Sequence, residues 1–346
     1  MNILVLNPSP AELEYSFCEM PEYKVFIGKV IKNWQVDNVQ ETLKKILTDI
    51  KKVLKKEPQI EAVAIRAAMG ATVFKDSVIV TDEVKKKITR LFPQAPMHLP
   101  VVLNLIDRVE DVIKKIPIVI VFDSGFFASL PPREAAYGVE GVLAKKLNLR
   151  RYGYHGLFHK AAAEETGKTI SICLESRPEV AAIMDRRALM VTSGATPIEG
   201  IPGQKSCGDI DASIVLALSE KKGWSPEQIN IELTEQSGIR GLAGKNVTMK
   251  EVFESEDKKI KDIAEIIFYR ILLACGMAIA AMGGVDRIVF SGRYAKDTGK
   301  IIKEKLKKKL SNFAGKNNNK IEWIIFEKQI NEIIAEDALV AILKNK

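Results

Sequence analysis

Short apolar runs alternate along the chain with longer stretches in which apolar residues recur three or four apart, the signatures of buried strands and of helices packed on one face. Strand-like runs open it at 2–7, 12–19 and 23–33. From Val39 to Lys56 the residues Val39, Leu43, Ile46, Leu47, Ile50, Val53 and Leu54 keep to one helical face, and EAVAIR (61–66) reads as a further strand. Helical spacing over 82–91 and 101–116 leads into IPIVIVFDSG (116–125), a continuous β-branched run that suits a buried strand ending at Asp123.

A similar order then returns. Strand-like segments at 169–174, 180–185 and 188–192 are followed by helical spacing through DIDASIVLALSEKKG (209–223). Ser225-Pro226-Glu227-Gln228 has the form of a capping box with proline at the first helical position. The pattern then predicts a long helical region over 248–282, a strand in DRIVFSG (286–292), a Lys-rich helix over 296–311, a polar turn GKNNNK, a strand in IEWIIF (321–326) and a last helix over 329–344. Two α/β halves that each open with three strands imply two sheets with a cleft between them, the usual place for a small ligand.

Length and composition narrow this picture. At 346 residues, 47% of them hydrophobic, the chain can bury a large core and divide into two domains. Its cysteines, Cys18, Cys173, Cys207 and Cys275, are far apart and form no CxxC, which points away from a disulfide framework or a metal knuckle and toward a reducing, cytoplasmic setting. MNILVLN at the start has no basic region or cleavage signal of an export peptide. Ile263 to Met282 is long enough to span a bilayer but contains Glu265 and Arg270, and reads as a helix buried in protein or at a subunit contact. The net charge of +8 is spread over lysine runs (51–56, 85–87, 303–309) without interleaved aromatics, so solvated helix faces are expected rather than a surface for nucleic acid.

The densest candidate chemistry is RRYGYHGLFHK (150–160), which holds His155 and His159. Imidazoles bind metal when neutral and pair with anions when protonated. A zinc helix is disfavoured, because Gly156 stands where an HExxH pattern needs its Glu and no cysteine pair is near. Two histidines that satisfy backbone groups at a helix start, or that act on an anionic substrate, both remain open on these residues alone.

RRYGYHGLFHK resembles the RRYGFHGTSHK stretch of acetate kinases, and further segments follow in family order over roughly residues 1–340. APMHLP (95–100) is similar to APLHNP, VFDSGFFASLPP (121–132) to VFDTAFHQTMPP, TPIEGIPGQKSCGDID (196–211) to TPLEGLMMGTRSGDID, and GVDRIVFSG (284–292) to GVDAIVFTAG. The resemblance implies the sugar kinase/Hsp70/actin fold: two duplicated ribonuclease-H-like α/β domains, here 1–125 with 329–346 and 126–328, closing over ATP and a small acid. It implies ATP/ADP and a short-chain carboxylate as ligands, Mg²⁺ as cofactor, and a homodimer joined through the second domain.

Residue by residue, the resemblance makes His155 the donor to the transferring phosphoryl group, gives His98 a supporting place at the acyl site and leaves His159 structural. Arg66, in AIRAAMG, matches the arginine of HRVVHGG and would bind carboxylate or phosphoryl oxygens in a fork, unless it is only an ion-pair partner. Asp123 would orient Mg²⁺ through water, or simply form the DSG turn; Asn7 would help position the metal, or cap the turn before Pro8. Ala68, Met97, Tyr154 and Pro197 fall where the family builds its pocket for the acyl methyl, although each could be core. The family's magnesium-linked glutamate corresponds to Asn331 or Glu332.

The nucleotide side departs from the family. NxGSSSLKY becomes NPSPAELEY (7–15), where Pro8 and Pro10 offer no N–H. HLGNGAS becomes CLESRPEV (173–180), in which Glu175 would repel a triphosphate and Arg177 would offset it, with Ser176 between them. GIGENS becomes GRYAKDT (292–298), keeping Gly292 but placing Arg293 beside it. The second catalytic arginine becomes Lys205, with Cys207 as an apparent insertion; lysine keeps the charge but not the fork. Three readings follow: an acetate-kinase-like phosphotransferase with an altered nucleotide site, a non-catalytic binding or regulatory relative, or a kinase for another acid or phosphoryl donor such as pyrophosphate.

Overall fold

A computed structural model describes residues 1–9, 12–32, 34, 38–95, 98–196, 198–310 and 320–345. The chain forms two compact units, Met1–Ala128 with Lys328–Lys346, and Ser129–Glu327. Unit 1 opens as an antiparallel meander of β1 (Asn2–Pro8), β2 (Glu12–Glu19) and β3 (Lys24–Lys32). Helix α1 (Val39–Leu54) buries Val39, Leu43, Ile46 and Ile50, one face of a 3.6-residue repeat, and carries the chain to β4 (Ala62–Ala67), parallel to β1. A two-residue edge strand β5 (Val78–Ile79) and helices α2 (Asp82–Arg90) and α3 (Leu99–Val112) precede β6 (Ile118–Phe122). The sheet order is β3-β2-β1-β4-β6-β5, with β1, β4 and β6 parallel.

Unit 2 begins with the short helices α4 (Pro132–Ala135), α5 (Gly141–Lys146) and α6 (Gly156–Ala161). The antiparallel strands β7 (Lys168–Leu174), β8 (Pro178–Met184) and β9 (Arg187–Val191) follow, then α7 (Ala212–Lys222), α8 (Pro226–Ile231), α9 (Gly238–Ala243), α10 (Met249–Glu254) and α11 (Lys258–Met282). β10 (Arg287–Ser291) returns parallel to β7, and after α12 (Thr298–Leu310) the strand β11 (Glu322–Ile325) pairs parallel to β10. The order β11-β10-β7-β8-β9 repeats, strand for strand and with the same directions, the run β6-β4-β1-β2-β3 of unit 1. This is the duplicated ribonuclease-H-like arrangement expected from the sequence. The last helix, α13 (Ile330–Lys344), belongs to unit 1 and packs on β6, β1 and β4.

The core of unit 2 gathers around α11, where Ile263, Ile267, Ile271, Cys275 and Ala278 are buried at helical spacing against β7, β8 and β9. Each fully buried isoleucine contributes about 1.5–3 kcal/mol. The apolar stretch long enough for a bilayer is thus, on this face, a core helix.

Element boundaries shift where a polar side chain finds a better partner. The helical region expected over 248–282 is two helices: Ser255 is extended (ψ 144°), and Asp257 starts α11 afresh by accepting the Ile260 N–H at 3.0 Å. The helix expected from 209 begins only at Ala212, because Asp209 accepts the Gly200 N–H (2.8 Å) and Asp211 caps the helix. The helix expected over 101–116 runs from Leu99 to Val112, with Pro100 in its first turn, where the missing N–H costs nothing. The capping box at Ser225 forms as expected. The GKNNNK turn lies outside the described residues except for Lys320.

Candidate active site

In unit 1 the sheet register assembles a polar group at the carboxyl ends of three parallel strands. Leu6 of β1 pairs with Ile65 of β4, so Asn7 and Arg66 emerge side by side. Arg66 pairs with Val121 of β6, and Asp123 lies two residues further, back on the face that Arg66 uses. The Arg66 Nη1 donates to Asn7 Oδ1 (3.1 Å), and Nη2 donates to the Asp123 carboxylate. Asn7 in turn donates to Glu14 of β2 (3.2 Å). Asp123 is 1% exposed and pairs with Arg66, whose fork spans two strands at once.

Two further groups adjoin this cluster. His98 sits at the cap position of α3 and is half-buried; burial, then the charge of Arg66, lowers its pKa and favours the neutral imidazole. Ala68 lies just past β4 in a turn anchored by the Gly70 N–H donating to Ser124 Oγ (2.9 Å). Met97, the pocket residue beside His98, is outside the described residues, as is Pro197.

In unit 2 the 150–160 turn is held from below. His155 is the cap residue of α6 in the left-handed region (φ 49°), a conformation a histidine adopts at a cost of about 1–2 kcal/mol. Tyr154 donates its hydroxyl to Ala195 O (3.2 Å) and has the Arg177 guanidinium over its ring at 5.2 Å; burial pushes its phenol pKa well up. His159 is fully buried, Nδ1 sharing a hydrogen bond with Ser171 Oγ (2.8 Å) and Nε2 lying 3.1 Å from Glu179 Oε1.

Three loops meet at the far ends of β7 and β10. Glu175, after β7, accepts the Arg293 N–H (2.8 Å) and its Nε (2.5 Å). Gly292 takes φ 90°, and a Cβ there would meet Leu174 O at 2.8 Å, so its missing side chain lets this loop dock on β7. Gln204 donates its N–H to Ser176 O (2.7 Å) and accepts from the Tyr294 hydroxyl (2.8 Å). Lys205, one residue on, is about half exposed and pairs with Glu235 at 2.9 Å.

The sequence profile of the acetokinase family matches residues 22–337. The chain belongs to the acetokinase family. The acetate kinase of Thermotoga petrophila is 32% identical over 329 residues, covering 84% of this chain and 82% of that protein. The crystal structure of a propionate kinase from Francisella tularensis superposes with a TM-score of 0.84 at 25% identity, over 97% of this chain and 98% of that one. Porphyromonas gingivalis acetate kinase shares the fold, with a TM-score of 0.85 at 24% identity and 99% coverage of both chains.

The charge of Glu175 is offset by Arg293 of the neighbouring loop, while Arg177 is turned onto Tyr154. The reason is reach: the Glu175 side chain lies beside the Arg293 backbone, so the carboxylate takes an amide and a guanidinium from one residue. Two further groups have little signature in the sequence. Glu179, fully buried in β8, was visible only as a lone carboxylate in PEVAAIM. The network in which Arg151 pairs with Glu199 (2.6 Å) and donates to Thr192 O (3.2 Å) gave no signal beyond the RRYG and IEG words themselves.

The residues of unit 1 fit a hydrated Mg²⁺ better than a caged one. Among the described residues no three or more His, Cys, Asp and Glu gather as a metal site. Asp123 and Asn7 are already engaged by Arg66, so they would hold such an ion through its waters rather than directly. In the first turn of α13, Asn331 Oδ1 is buried without a hydrogen-bond partner among the described residues, an oxygen donor that a hydrated cation would satisfy. Beside it, burial and then Glu336 raise the pKa of Glu332, so a nearby cation would favour its charged form.

Proposed function

We propose that this protein is a carboxylate kinase, passing a phosphoryl group reversibly between ATP and acetate or a similar short-chain acid, with acetyl phosphate and ADP formed from acetate. The Asn7–Arg66–Asp123 group, in a chain of this family, carries the reading. Phosphoryl transfer requires little covalent help; it requires two anions positioned and the equatorial oxygens neutralised. Arg66 would bind carboxylate or phosphoryl oxygens, with Asp123 and Asn7 fixing the plane of its guanidinium. Ala68, Tyr154 and the neutral His98 would bound the acyl group, along with Met97 and Pro197. His155 would donate to the transferring phosphoryl, and Lys205 would add a point charge. Ser176, Arg177, Gly292 and Arg293 would border the nucleotide. Asp123 and Asn7, with Asn331 or Glu332, would hold Mg²⁺ through water. When bound, that ion neutralises phosphate charge. This reading places the protein in the cytoplasm, acting on small soluble ligands rather than nucleic acid or membrane.

Acyl-phosphate formation from acetate, propionate and butyrate, with ATP and with pyrophosphate as donors, tests the reading. Activity on a short acid with ATP supports it. Folded protein that yields no acyl phosphate with any pair overturns it in favour of a binding or regulatory relative.

The nucleotide loops make a separate prediction. Because Glu175 occupies an amide and a guanidinium suited to phosphate, Glu175→Gly with Arg177 kept is expected to tighten ATP about tenfold by calorimetry. Unchanged or weaker binding would mean that the Glu175–Arg293 pair organises the loop rather than obstructing it.

A homodimer through α11 is also expected. Its outer face exposes Ile266 (42%), Tyr269 (56%), Leu273 (43%) and Met277 (55%) at spacings of three and four, an apolar stripe along one helix. Leu273→Glu with Met277→Lys should convert a dimer to a folded monomer in light scattering. A monomeric parent at micromolar concentration would refute this expectation.

A further inference from the structure

β8 is buried from Pro178 to Ile183, with Val180, Ala181, Ala182 and Ile183 at 0–1% exposure, yet its second residue is a carboxylate at 0%. An ionised group taken out of water there costs several kcal/mol unless its oxygens are engaged, and an apolar side chain would suit the strand better. Glu179 is engaged at both of its oxygens. Oε1 accepts the Tyr154 N–H (3.2 Å) and lies 3.1 Å from His159 Nε2, while Oε2 accepts from the Ser193 hydroxyl. The two groups on Oε1 flank a single residue: Tyr154 precedes His155, and His159 follows it by one helical turn.

We propose that Glu179 is a positioning residue for His155, its carboxylate clamping both sides of the left-handed turn that presents the imidazole. The proposal rests on His155 acting in phosphoryl transfer. A left-handed histidine persists only where its surroundings over-determine it. Three features supply this: the backbone bond to Tyr154, the buried His159 held on its far side by Ser171, and the Ser193 link to the 192–195 loop. That loop also accepts the Tyr154 hydroxyl at Ala195 O, so one carboxylate ties the residue before His155 at both its backbone and its ring. Glu179 touches no substrate in this scheme; it acts through the turn.

A double-mutant cycle tests this. Glu179→Gln keeps size and one acceptor but loses the charge facing His159 and reverses one partner of the clamp. It is expected to lower kcat about 10–30-fold, with the KM values for acid and nucleotide changed less than twofold. In a His155→Ala background the same substitution should cost less than twofold, because a clamp matters only while there is an imidazole to place. An equal loss in both backgrounds would show that Glu179 supports the fold at large and would overturn the proposal, as would an unchanged kcat in the parent. If Glu179→Gln does not fold, Ser193→Ala, which removes one partner, decides in the same cycle: a loss of about threefold confined to the background that has His155 supports the clamp, and an equal or absent loss rejects it. His155→Ala alone reports on the underlying reading. Unchanged turnover there rejects a role for His155, whereas a large loss with additive Glu179→Gln rejects only the clamp.

Discussion

Arg66→Ala is expected to lower the rate of acyl-phosphate formation by about 10³-fold, the low end for losing an arginine that stabilises a phosphoryl transition state. The same change removes an ion-pair partner of Asp123, a carboxylate at 1% exposure, and the donor to Asn7 Oδ1, so stability should fall by about 3 kcal/mol as well. Arg66→Lys separates the two effects. An ammonium can keep a charge beside Asp123, but it cannot bridge Asn7 and Asp123 as a planar fork does, so most of the stability should return without the turnover. His98 provides an internal check: with the Arg66 charge gone, its pKa should rise toward the ordinary histidine value, only part of the way because burial is the larger cause. Turnover within tenfold of the parent in Arg66→Ala would reduce Arg66 to an ion-pair partner.

His155→Ala is expected to lower kcat by about 10²-fold with the melting temperature nearly unchanged, as for the loss of one preorganised donor. The backbone supplies a sharper form of the test. Because His155 sits at φ 49°, His155→Gly relieves a conformation unfavourable to any side chain and should raise stability by about 1 kcal/mol while abolishing the same share of turnover. Opposite signs on stability and activity would mark a residue kept for its chemistry. A destabilised glycine variant with full activity would instead make this imidazole a structural element.

Much of the fold was legible because the relevant signals are local. The 3.6-residue repeat of α1, the β-branched run of β6, the Ser225 capping box and the two strand-strand-strand openings all lie within a few turns of chain, and they emerge within a few residues of their expected positions. The split between α10 and α11 was not legible, because apolar spacing continues through a region that Asp257 restarts by capping. The edge strand β5 was missed because two residues carry no periodicity.

The site divides in the same way. By itself the sequence determined the duplicated α/β architecture, the family resemblance and the residue types at Asn7, Arg66, Asp123, His155 and His159, since these sit in recognisable words of neighbouring residues. Which of them touch was decided by tertiary structure alone. Arg66 reaches Asn7 and Asp123, 59 and 57 residues away along the chain, only because parallel register aligns Leu6 with Ile65 and Arg66 with Val121. Likewise, the partner of Glu175 is 118 residues away, and a sequence-adjacent cation, Arg177, turns elsewhere. Pattern along a chain reports the face on which a side chain lies. The group that neutralises a buried charge is chosen by distance in space, which strand register and loop docking set.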